Sequence, residues 1–161
     1  TRKVSNFDEL ESDLIINCSG LGAREICQDK EVVPVRGQVV YIQQDPGFGR
    51  YDQRPESLIY TIPRRDVTVL GGTAQKGDWT MEIRKKDEED ILKKCESLWP
   101  ELDRSKIVGR AVGLRPSRTE VRLEREYLNG KWIIHNYGHG GAGVTLSWGC
   151  ADEVVSLIEG S

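Results

Sequence analysis

The sequence predicts an α/β fold, and three observations support that prediction. A short continuous apolar run, LIIN at residues 14–17, is typical of a strand buried on both faces of a parallel sheet. Alternating segments rich in β-branched residues, which begin at Val32, are typical of a mixed or antiparallel sheet. Two later segments have the apolar spacing of amphipathic helices. We therefore expect a mixed, largely antiparallel sheet with helices packed against it.

Length and charge limit the classes of function. The chain has 161 residues and a mass of 18.2 kDa, which suffices for one compact domain with its own core. Its formal net charge of -3 provides no basic surplus, so we predict no nucleic-acid partner. No apolar run approaches the roughly 20 residues that cross a bilayer, and the charged first residues do not resemble a secretory leader. The sequence therefore indicates a soluble protein.

The first half of the chain contains most of the predicted strands. Strands are expected in VVPVRGQVVYIQ, LIYTIP and VTVLGG, each of which is bounded by turn-forming residues. Between the first two of these, residues 47–57 (GFGRYDQRPES) combine glycines, a proline and charges, which predicts an exposed, mobile loop that serves as a lid.

The second half begins with a predicted helix. The segment KKDEEDILKKCESLWPEL places Ile91, Leu92, Cys95 and Leu98 on one face, and Pro100 should end the helix. Strand character returns in IVGRAVGLRP, VRLERE and KWIIHNYG, and TLSWGCADEVVSLIE closes the chain as a second amphipathic helix.

The most informative stretch is residues 133–151, IIHNYGHGGAGVTLSWGCA. An apolar strand leads into a glycine-dense turn, and the turn opens into a helix. Glycines allow the main chain to approach a ligand closely, and the first N–H groups of a helix attract an anion or a carbonyl oxygen. A similar turn with Ser19 and Gly20 follows the LIIN strand, where ligands of open α/β sheets bind. The alternative interpretation is a pair of tight turns without a ligand.

Cysteine and histidine positions do not indicate a metal site. Cys18, Cys27, Cys95 and Cys150 contain no CxxC pair, so we interpret them as reduced structural thiols. The two histidines, His135 and His139, have i, i+4 spacing, but Gly138 between them argues against a helix, and no third ligand is nearby. We predict no metal.

Several motifs together resemble the D-amino acid oxidase family, which includes the D-aspartate oxidases. In the family's order, they are VRGQ at residues 35–38, GGTAQKGDW at 71–79, GLRPSR at 113–118, VRLERE at 121–126 and HNYGHGGAG at 135–143. The resemblance covers nearly the whole chain. It implies part of an FAD-binding Rossmann-like domain at residues 1–30 and 135–161, and a substrate-binding domain on a mixed sheet at residues 31–134.

The resemblance also implies catalytic roles. Arginine binds a carboxylate through two parallel charge-assisted hydrogen bonds, and Arg115 matches the family's arginine for the substrate carboxylate. Tyr60 matches the active-site tyrosine, with a core tyrosine as the alternative interpretation. The carbonyl of Gly141 matches the acceptor for the substrate amine. Tyr51 is offset from the family's second tyrosine, so it is left out of the catalytic set.

The implied cofactor is FAD, and the implied reaction is oxidative deamination of a D-amino acid. The family transfers the Cα hydrogen as hydride to the flavin and then reduces oxygen to peroxide, while the imino acid hydrolyses to a 2-oxo acid and ammonia. N–H groups at a helix start would stabilise negative charge on the reduced flavin. The residues expected to contact FAD are Ser19, Gly20, Gly140, Gly141, Gly143, Val144 and Thr145.

One family feature is missing from this sequence. The strand–GxGxxG–helix unit that holds the pyrophosphate of the dinucleotide is absent, so we expect a partner half carrying it, in the same protein or in a second chain. A homo-oligomer is also left open. Family resemblance implies a peroxisomal location, with the cytoplasm as the alternative, because the chain has no peroxisomal tripeptide.

Three alternative functions stay open: a non-catalytic fragment, a D-aspartate oxidase, and an amine oxidase acting on glycine or sarcosine. The motif GGTAQKGDW looks closer to the D-aspartate oxidases, yet those enzymes tend to place an arginine where this chain has Ala74. Burying a second carboxylate without a cation would cost several kcal/mol. Arg54 on the predicted loop is a weak substitute, so we expect a preference for neutral D-amino acids.

Overall fold

The computed structural model describes residues 2–52 and 58–160 and confirms the predicted α/β class. Its eight strands form a mixed sheet in the order β1-β8-β7-β2-β5-β4-β3, with β6 beside β2. The strands are β1 Leu14–Asn17, β2 Val33–Ile42, β3 Arg50–Asp52, β4 Ile59–Pro63, β5 Thr68–Gly71, β6 Gln75–Lys76, β7 Ile107–Leu128 and β8 Lys131–His139. The helices are α1 Ala23–Ile26, α2 Lys85–Leu98 and α3 Gly143–Glu159.

The chain divides into two compact units. The first, the terminal unit, contains Thr1–Val35 and Arg115–Ser161, and the second, the central unit, contains Arg36–Leu114. Strand β7 contributes residues to both. The predicted domains 1–30, 31–134 and 135–161 stay a prediction about domain organisation.

The central unit has its core between the sheet and α2. Buried apolar residues of β2, β4 and β5 pack against Ile91, Leu92 and Cys95 of α2. The helix ends at Leu98, close to the predicted stop at Pro100, and its charged side chains other than the buried Asp87 form the outer face. The predicted amphipathic helix is therefore confirmed in both position and orientation.

A completely buried arginine, Arg36 on β2, fixes the start of α2. Its guanidinium donates to Asp87 at 2.7 Å, and that ion pair lies beneath the first turn of the helix. The remaining N–H groups donate to Gln38, Gln75 and the main chain. Because all five donors of the guanidinium have acceptors, the buried charge is fully hydrogen-bonded.

In the terminal unit, β1 runs parallel to β8 with Asn17 opposite His135. Ile15 and Ile133 pack together under Phe7, which belongs to a short 3-10 turn whose N-cap is Asn6. Glu9 completes a reciprocal capping box with Asn6, so the turn is fixed by its own sequence.

One expectation for β1 is wrong. Leu14 and Ile16 are 41% and 49% exposed, so this strand is buried on one face and not on both. The physical reason is that no element among the described residues covers this face of β1, which lies at the edge of the sheet and pairs with β8 alone.

The loop predicted at residues 47–57 is also partly wrong. Residues Arg50–Asp52 form β3, which pairs antiparallel with β4 and places Tyr51 opposite Tyr60. The cross-strand tyrosine pair and main-chain pairing outweigh the loop-like composition of the segment. Residues 53–57, including Arg54, lie outside the described residues, so the predicted lid stays a prediction.

Helix α3 begins at Gly143, two residues before the predicted helical segment; it packs on β8, and Val154 is its buried residue. Its other side is largely exposed, with Val144 at 90% and Trp148 at 83% exposure. Val144, Trp148, Ala151 and Val155 follow one another at helical spacing and define what we call the α3 stripe. Within the described ranges, no helix is long and apolar enough to cross a membrane.

Candidate functional site

Two turns in the terminal unit are built alike. After β1, Gly20 has φ +58° and begins a 3-10 turn that leads into α1; after β8, Gly140 also has φ +58° and begins a 3-10 turn that leads into α3. A left-handed φ of this kind favours glycine. Since β1 and β8 are parallel, both turns lie at the carboxyl ends of neighbouring strands, where α/β sheets bind ligands.

A third segment, Arg115–Ser117 of β7, lies against these two turns. A Cβ built on Gly20 would be 3.5 Å from Pro116, and one built on Gly140 would be 3.5 Å from Ser117 Oγ. The segment reaches this position because the pairing of β7 with β8 is irregular between Ser117 and Arg122. Such irregularities re-aim the strand beside them. The terminal unit thus brings together Ser19, Gly20, Arg115, Gly140 and Gly141 as one candidate site.

Gly141 lies beside Arg115 and is exposed. A Cβ built on Gly141 would be 3.5 Å from Cδ of Arg115, which is an ordinary van der Waals contact, and the φ of Gly141 is not in the left-handed region. The protein itself therefore has room for a side chain at this position. By contrast, a Cβ on Gly138 would be 2.7 Å from Cβ of Arg118, so that glycine is required by packing.

Three other arginines of β7 form structural ion pairs. Arg118 binds Asp29 at 2.9 Å, Arg122 binds Glu124 at 2.6 Å, and Arg110 binds Glu88 at 2.6 Å. Burial opposes ionisation of Asp29, but hydrogen bonds from Tyr137 and Arg118 outweigh it and hold the pKa of this carboxyl below its ordinary value. Carboxylates of this chain therefore hold these three guanidiniums in place.

The start of α3 lies next to Gly140 and Gly141. Its N-cap, Ala142, provides no side-chain hydrogen bond, and the first turn contains no acidic residue. The positive end of the helix dipole at Gly143, Val144 and Thr145 is therefore not neutralised by the helix's own side chains. A long helix with such a start can stabilise negative charge on a ligand.

Tyr60 belongs to the central unit and is half-buried. Its ring lies across β5, because a Cβ on Gly71, the residue opposite in the sheet, would be 2.0 Å from Cζ of Tyr60. Tyr51 packs on the other side with ring centroids 5.9 Å apart. The aromatic ring is thus fixed between a glycine and a second tyrosine, on the sheet face opposite the buried Ile59 and Thr61.

Sequence reasoning missed two buried polar residues next to the site, Asn17 and His135. They end the apolar runs LIIN and IIH, and the parallel register places them side by side, Asn17 at the carboxyl end of β1 and His135 in the middle of β8. Asn17 is 4% and His135 is 1% exposed, and their side chains are 3.1 Å apart. A polar residue at the end of each of two apolar runs was the signal that could have found them.

Both histidines lie on β8, which extends through His139. Among the described residues, no three His, Cys, Asp or Glu side chains are grouped so that they could hold a metal ion. All four cysteines, each within those residues, are free thiols.

Comparisons with known proteins agree on one family. The family model described as FAD dependent oxidoreductase matches residues 2–157. A D-amino-acid oxidase of Rubrobacter xylanophilus is 45% identical over 97% of this chain and 49% of its own length. A D-amino-acid oxidase of Dictyostelium discoideum is 44% identical over 93% and 44%, and human D-aspartate oxidase is 38% identical over 98% and 48%. The chain spans about half the length of the curated relatives it matches.

Solved structures share the fold at lower identity. Glycine oxidase of Bacillus cereus matches with a TM-score of 0.77 at 21% identity, covering 90% of this chain and 42% of that chain. Glycine oxidase of Geobacillus kaustophilus gives a TM-score of 0.78 at 19% identity, covering 91% and 41%. At these identities the likeness concerns the fold alone.

Proposed function

The chain belongs to the DAO family of FAD dependent oxidoreductases, and from this premise we propose that it forms the C-terminal half of a flavin-dependent D-amino acid oxidase. The single observation that carries the proposal is the position of Arg115 beside Gly141, at the carboxyl ends of the two parallel strands. A carboxylate-binding cation there lies next to a main chain that a ligand can approach.

Three observations support FAD as the cofactor. Gly20 and Gly140 begin matching turns at the ends of parallel strands, Gly141 is exposed, and the start of α3 has no acidic side chain in its first turn. We propose that Ser19, Gly20, Gly140, Gly141, Gly143, Val144 and Thr145 contact the flavin. When bound, FAD accepts the Cα hydrogen of the amino acid as hydride and reduces oxygen to peroxide.

The protein's own contribution is to bind and orient the substrate. Arg115 binds the α-carboxylate through its planar guanidinium, and the Gly141 carbonyl accepts from the substrate amine. On family resemblance, we propose Tyr60 as the substrate-binding tyrosine. Tyr60 suits this role because Gly71 and Tyr51 fix its ring. The dipole of α3 stabilises negative charge on the reduced flavin.

The experiment that tests the proposal is peroxide release by Arg115→Ala in the complete flavoprotein. We expect turnover to be abolished while flavin content is unchanged, because each lost charge-assisted hydrogen bond is worth roughly 1.5–3 kcal/mol. Arg110→Ala is the matched control, since Arg110 is another arginine of β7 and forms an ion pair with Glu88. Near-normal catalytic efficiency of Arg115→Ala would disprove its role.

Gly141→Val separates a ligand effect from a folding effect. Because the protein has room for a Cβ here, the variant should fold with unchanged thermal stability but should lose substrate and flavin affinity. Unchanged affinity for both ligands would place the binding turn elsewhere.

For the substrate, we propose neutral D-amino acids. Ala74 is exposed and carries no charge, so position 74 supplies no cation for a second carboxylate. Peroxide release with D-alanine, D-proline and D-aspartate compares the alternatives. At least about tenfold higher efficiency on D-aspartate would favour the second candidate, a D-aspartate oxidase, which the 38% identity to the human enzyme supports.

We further propose that a polypeptide half carrying the GxGxxG unit covers the α3 stripe and the outer face of β1. The relatives are about twice as long as this chain, and Leu14, Ile16, Val144 and Trp148 expose an apolar area that a single-chain surface seldom leaves open. A peroxisomal location for the complete oxidase rests on family resemblance.

A further inference from the structure

A buried hydrogen-bond chain links the predicted flavin turn to a histidine that takes no part in the proposed chemistry. The main-chain N–H of Ser19 donates to Oδ1 of Asn17 at 3.2 Å. Nδ2 of Asn17 lies 3.1 Å from Nδ1 of His135 and 3.1 Å from Sγ of Cys27. Nε2 of His135 lies 2.9 Å from a carboxylate oxygen of Glu126.

The partners determine the orientation of the Asn17 amide. The Ser19 N–H can only donate, so the atom that faces it must be the amide oxygen, and the amide nitrogen must then point towards His135. Both hydrogens of that nitrogen have acceptors, one on the imidazole and one on the Cys27 sulfur.

The hydrogen-bond partners also determine the protonation state and the tautomer of His135. Glu126 accepts a hydrogen bond, so Nε2 carries the proton, and Nδ1 must be an unprotonated acceptor because Asn17 donates to it. A proton on Nδ1 would face the Asn17 N–H. Relieving that clash would require the amide to flip, which would turn its nitrogen towards the Ser19 N–H and remove the acceptor of the turn.

We propose that neutral His135, protonated on Nε2, is a positioning residue that fixes the Ser19–Gly20 turn through Asn17 and thereby sets the affinity of the oxidase for FAD. The link to FAD rests on the function proposed above, whereas the link to the turn does not. No contact between His135 and the ligand is required.

Electrostatics at His135 favour the neutral form. Burial lowers the pKa of His135 below its ordinary value, and the hydrogen bond to Glu126 opposes that shift without reversing it. Burial also raises the pKa of the Cys27 thiol, which keeps it protonated. The titratable and charged groups around the imidazole are Glu126, Glu124 and Arg122 on β7, Tyr137 on β8, and Cys27 and Asp29 after α1.

The stability of the folded chain should decrease as pH falls through the range in which His135 takes up a proton. The unfolded chain takes up a proton on His135 near pH 6.5, while the folded chain does so at lower pH, so the contribution of His135 to stability is present above about pH 6.5 and is lost as pH falls below it. The ordered turn is lost as pH falls through the folded pKa.

Ring-nitrogen NMR of the apoprotein tests the first link without flavin. We expect an unprotonated Nδ1 and a protonated Nε2 at pH 7.5, and slow exchange of the Ser19 amide. His139 is the other histidine of this chain, so His139→Gln assigns the signals. A protonated Nδ1 on His135, or an exchange rate at Ser19 that does not change on acidification, would overturn the proposal.

Two substitutions at Asn17 test the second link by FAD titration of the complete apoprotein across pH 5–8. Asn17→Leu removes the acceptor and should weaken FAD binding about tenfold at pH 7.5, as expected for one lost buried hydrogen bond, with little further loss as pH falls. Asn17→Asp accepts from both the Ser19 N–H and a protonated Nδ1, so binding should no longer weaken as pH falls. A profile for Asn17→Asp that matches the unsubstituted protein would exclude the relay through Asn17.

The NMR and FAD results distinguish failure of the positioning role from failure of the proposed oxidase function. If Asn17→Leu speeds Ser19 amide exchange but leaves FAD affinity unchanged, the positioning role towards FAD is wrong while the oxidase proposal stands. If the complete protein binds no FAD at all, the proposed function fails, and the NMR result still decides whether His135 holds the turn.

Discussion

The two long helices differ in what covers them. Helix α2 is rich in charge, yet its apolar face is fully used: Ile91, Leu92 and Cys95 are buried against the central sheet. Helix α3 is more apolar, yet among its described residues Val154 alone is buried. Composition by itself would have suggested the opposite. The difference teaches that α2 is stabilised by packing within this chain, whereas most of the apolar surface of α3 is exposed.

The largest effect on stability is expected from removing the buried ion pair between Arg36 and Asp87 at the start of α2. Arg36→Met should lower the free energy of unfolding by about 3–5 kcal/mol, because Asp87 would be left as an unpaired buried charge. Denaturant unfolding measures it. Arg110→Met, which removes an exposed ion pair, should cost about 0–1 kcal/mol. Equal effects of the two variants would contradict the buried role of Arg36.

Truncating one apolar side chain in each helix compares how much α2 and α3 contribute to the stability of this chain. Ile91→Ala in α2 should destabilise this chain by about 2–5 kcal/mol, since it removes a side chain from the core. Val155→Ala on the α3 stripe should change stability by no more than about 0.5 kcal/mol. If the covering half is present, Val155→Ala should become measurably destabilising. An equally large cost in this chain alone would mean that α3 is already covered.

Trp148→Ser tests whether the α3 stripe is the interface with the half that carries GxGxxG. Loss of a large aromatic anchor should weaken association with the half that carries GxGxxG by at least about tenfold, with little change in the stability of this chain. Trp79→Ser, which removes an exposed tryptophan of the central unit, is the matched control. Calorimetric titration of the two halves provides the measurement, and equal affinity for both variants would exclude the α3 stripe as the interface.

The smallest perturbation is chemical labelling, which leaves the fold intact. Cys95 on α2 is completely buried, and burial raises its pKa to about 12, so it should react with a thiol reagent only after unfolding. Cys150 on α3 is partly accessible and should react in the folded chain. Mass spectrometry after brief labelling compares them. Rapid modification of Cys95 under native conditions would show that α2 opens far more readily than its packing indicates.

Apolar spacing identified the position of elements whether or not this chain covers them. LIIN, the α2 segment and the C-terminal helix are all found where apolar spacing placed them. The exposure of Leu14 and Ile16 could not be predicted, because a continuous apolar run indicates what a strand buries in the complete sheet and not what this chain supplies. Likewise β7 is one strand of 22 residues, although glycine and proline divide its sequence into shorter pieces.

For the candidate site, motifs identified residues and topology supplied their neighbours. Arg115 and Gly141 were predicted from resemblance, but their proximity depends on the irregular pairing of β7 with β8, which has no marker in the local sequence. Arg36 in VRGQ could not be recognised as buried, since arginine is mostly found at the surface. The pairing of Asn17 with His135 follows from a parallel register between strands 118 residues apart.

Because Tyr60 packs tightly over Gly71, we expect substitutions at these two positions to be coupled. No side chain fits at position 71 while the phenol ring occupies its place, since even a methyl group would overlap Cζ at 2.0 Å. In a saturation library, substitutions of Gly71 should survive only alongside a smaller residue at position 60. Replacement of Tyr60 by a smaller residue would then permit substitutions at both positions. Gly71, which ten residues of sequence separate from Tyr60, therefore constrains the aromatic residue proposed for substrate binding.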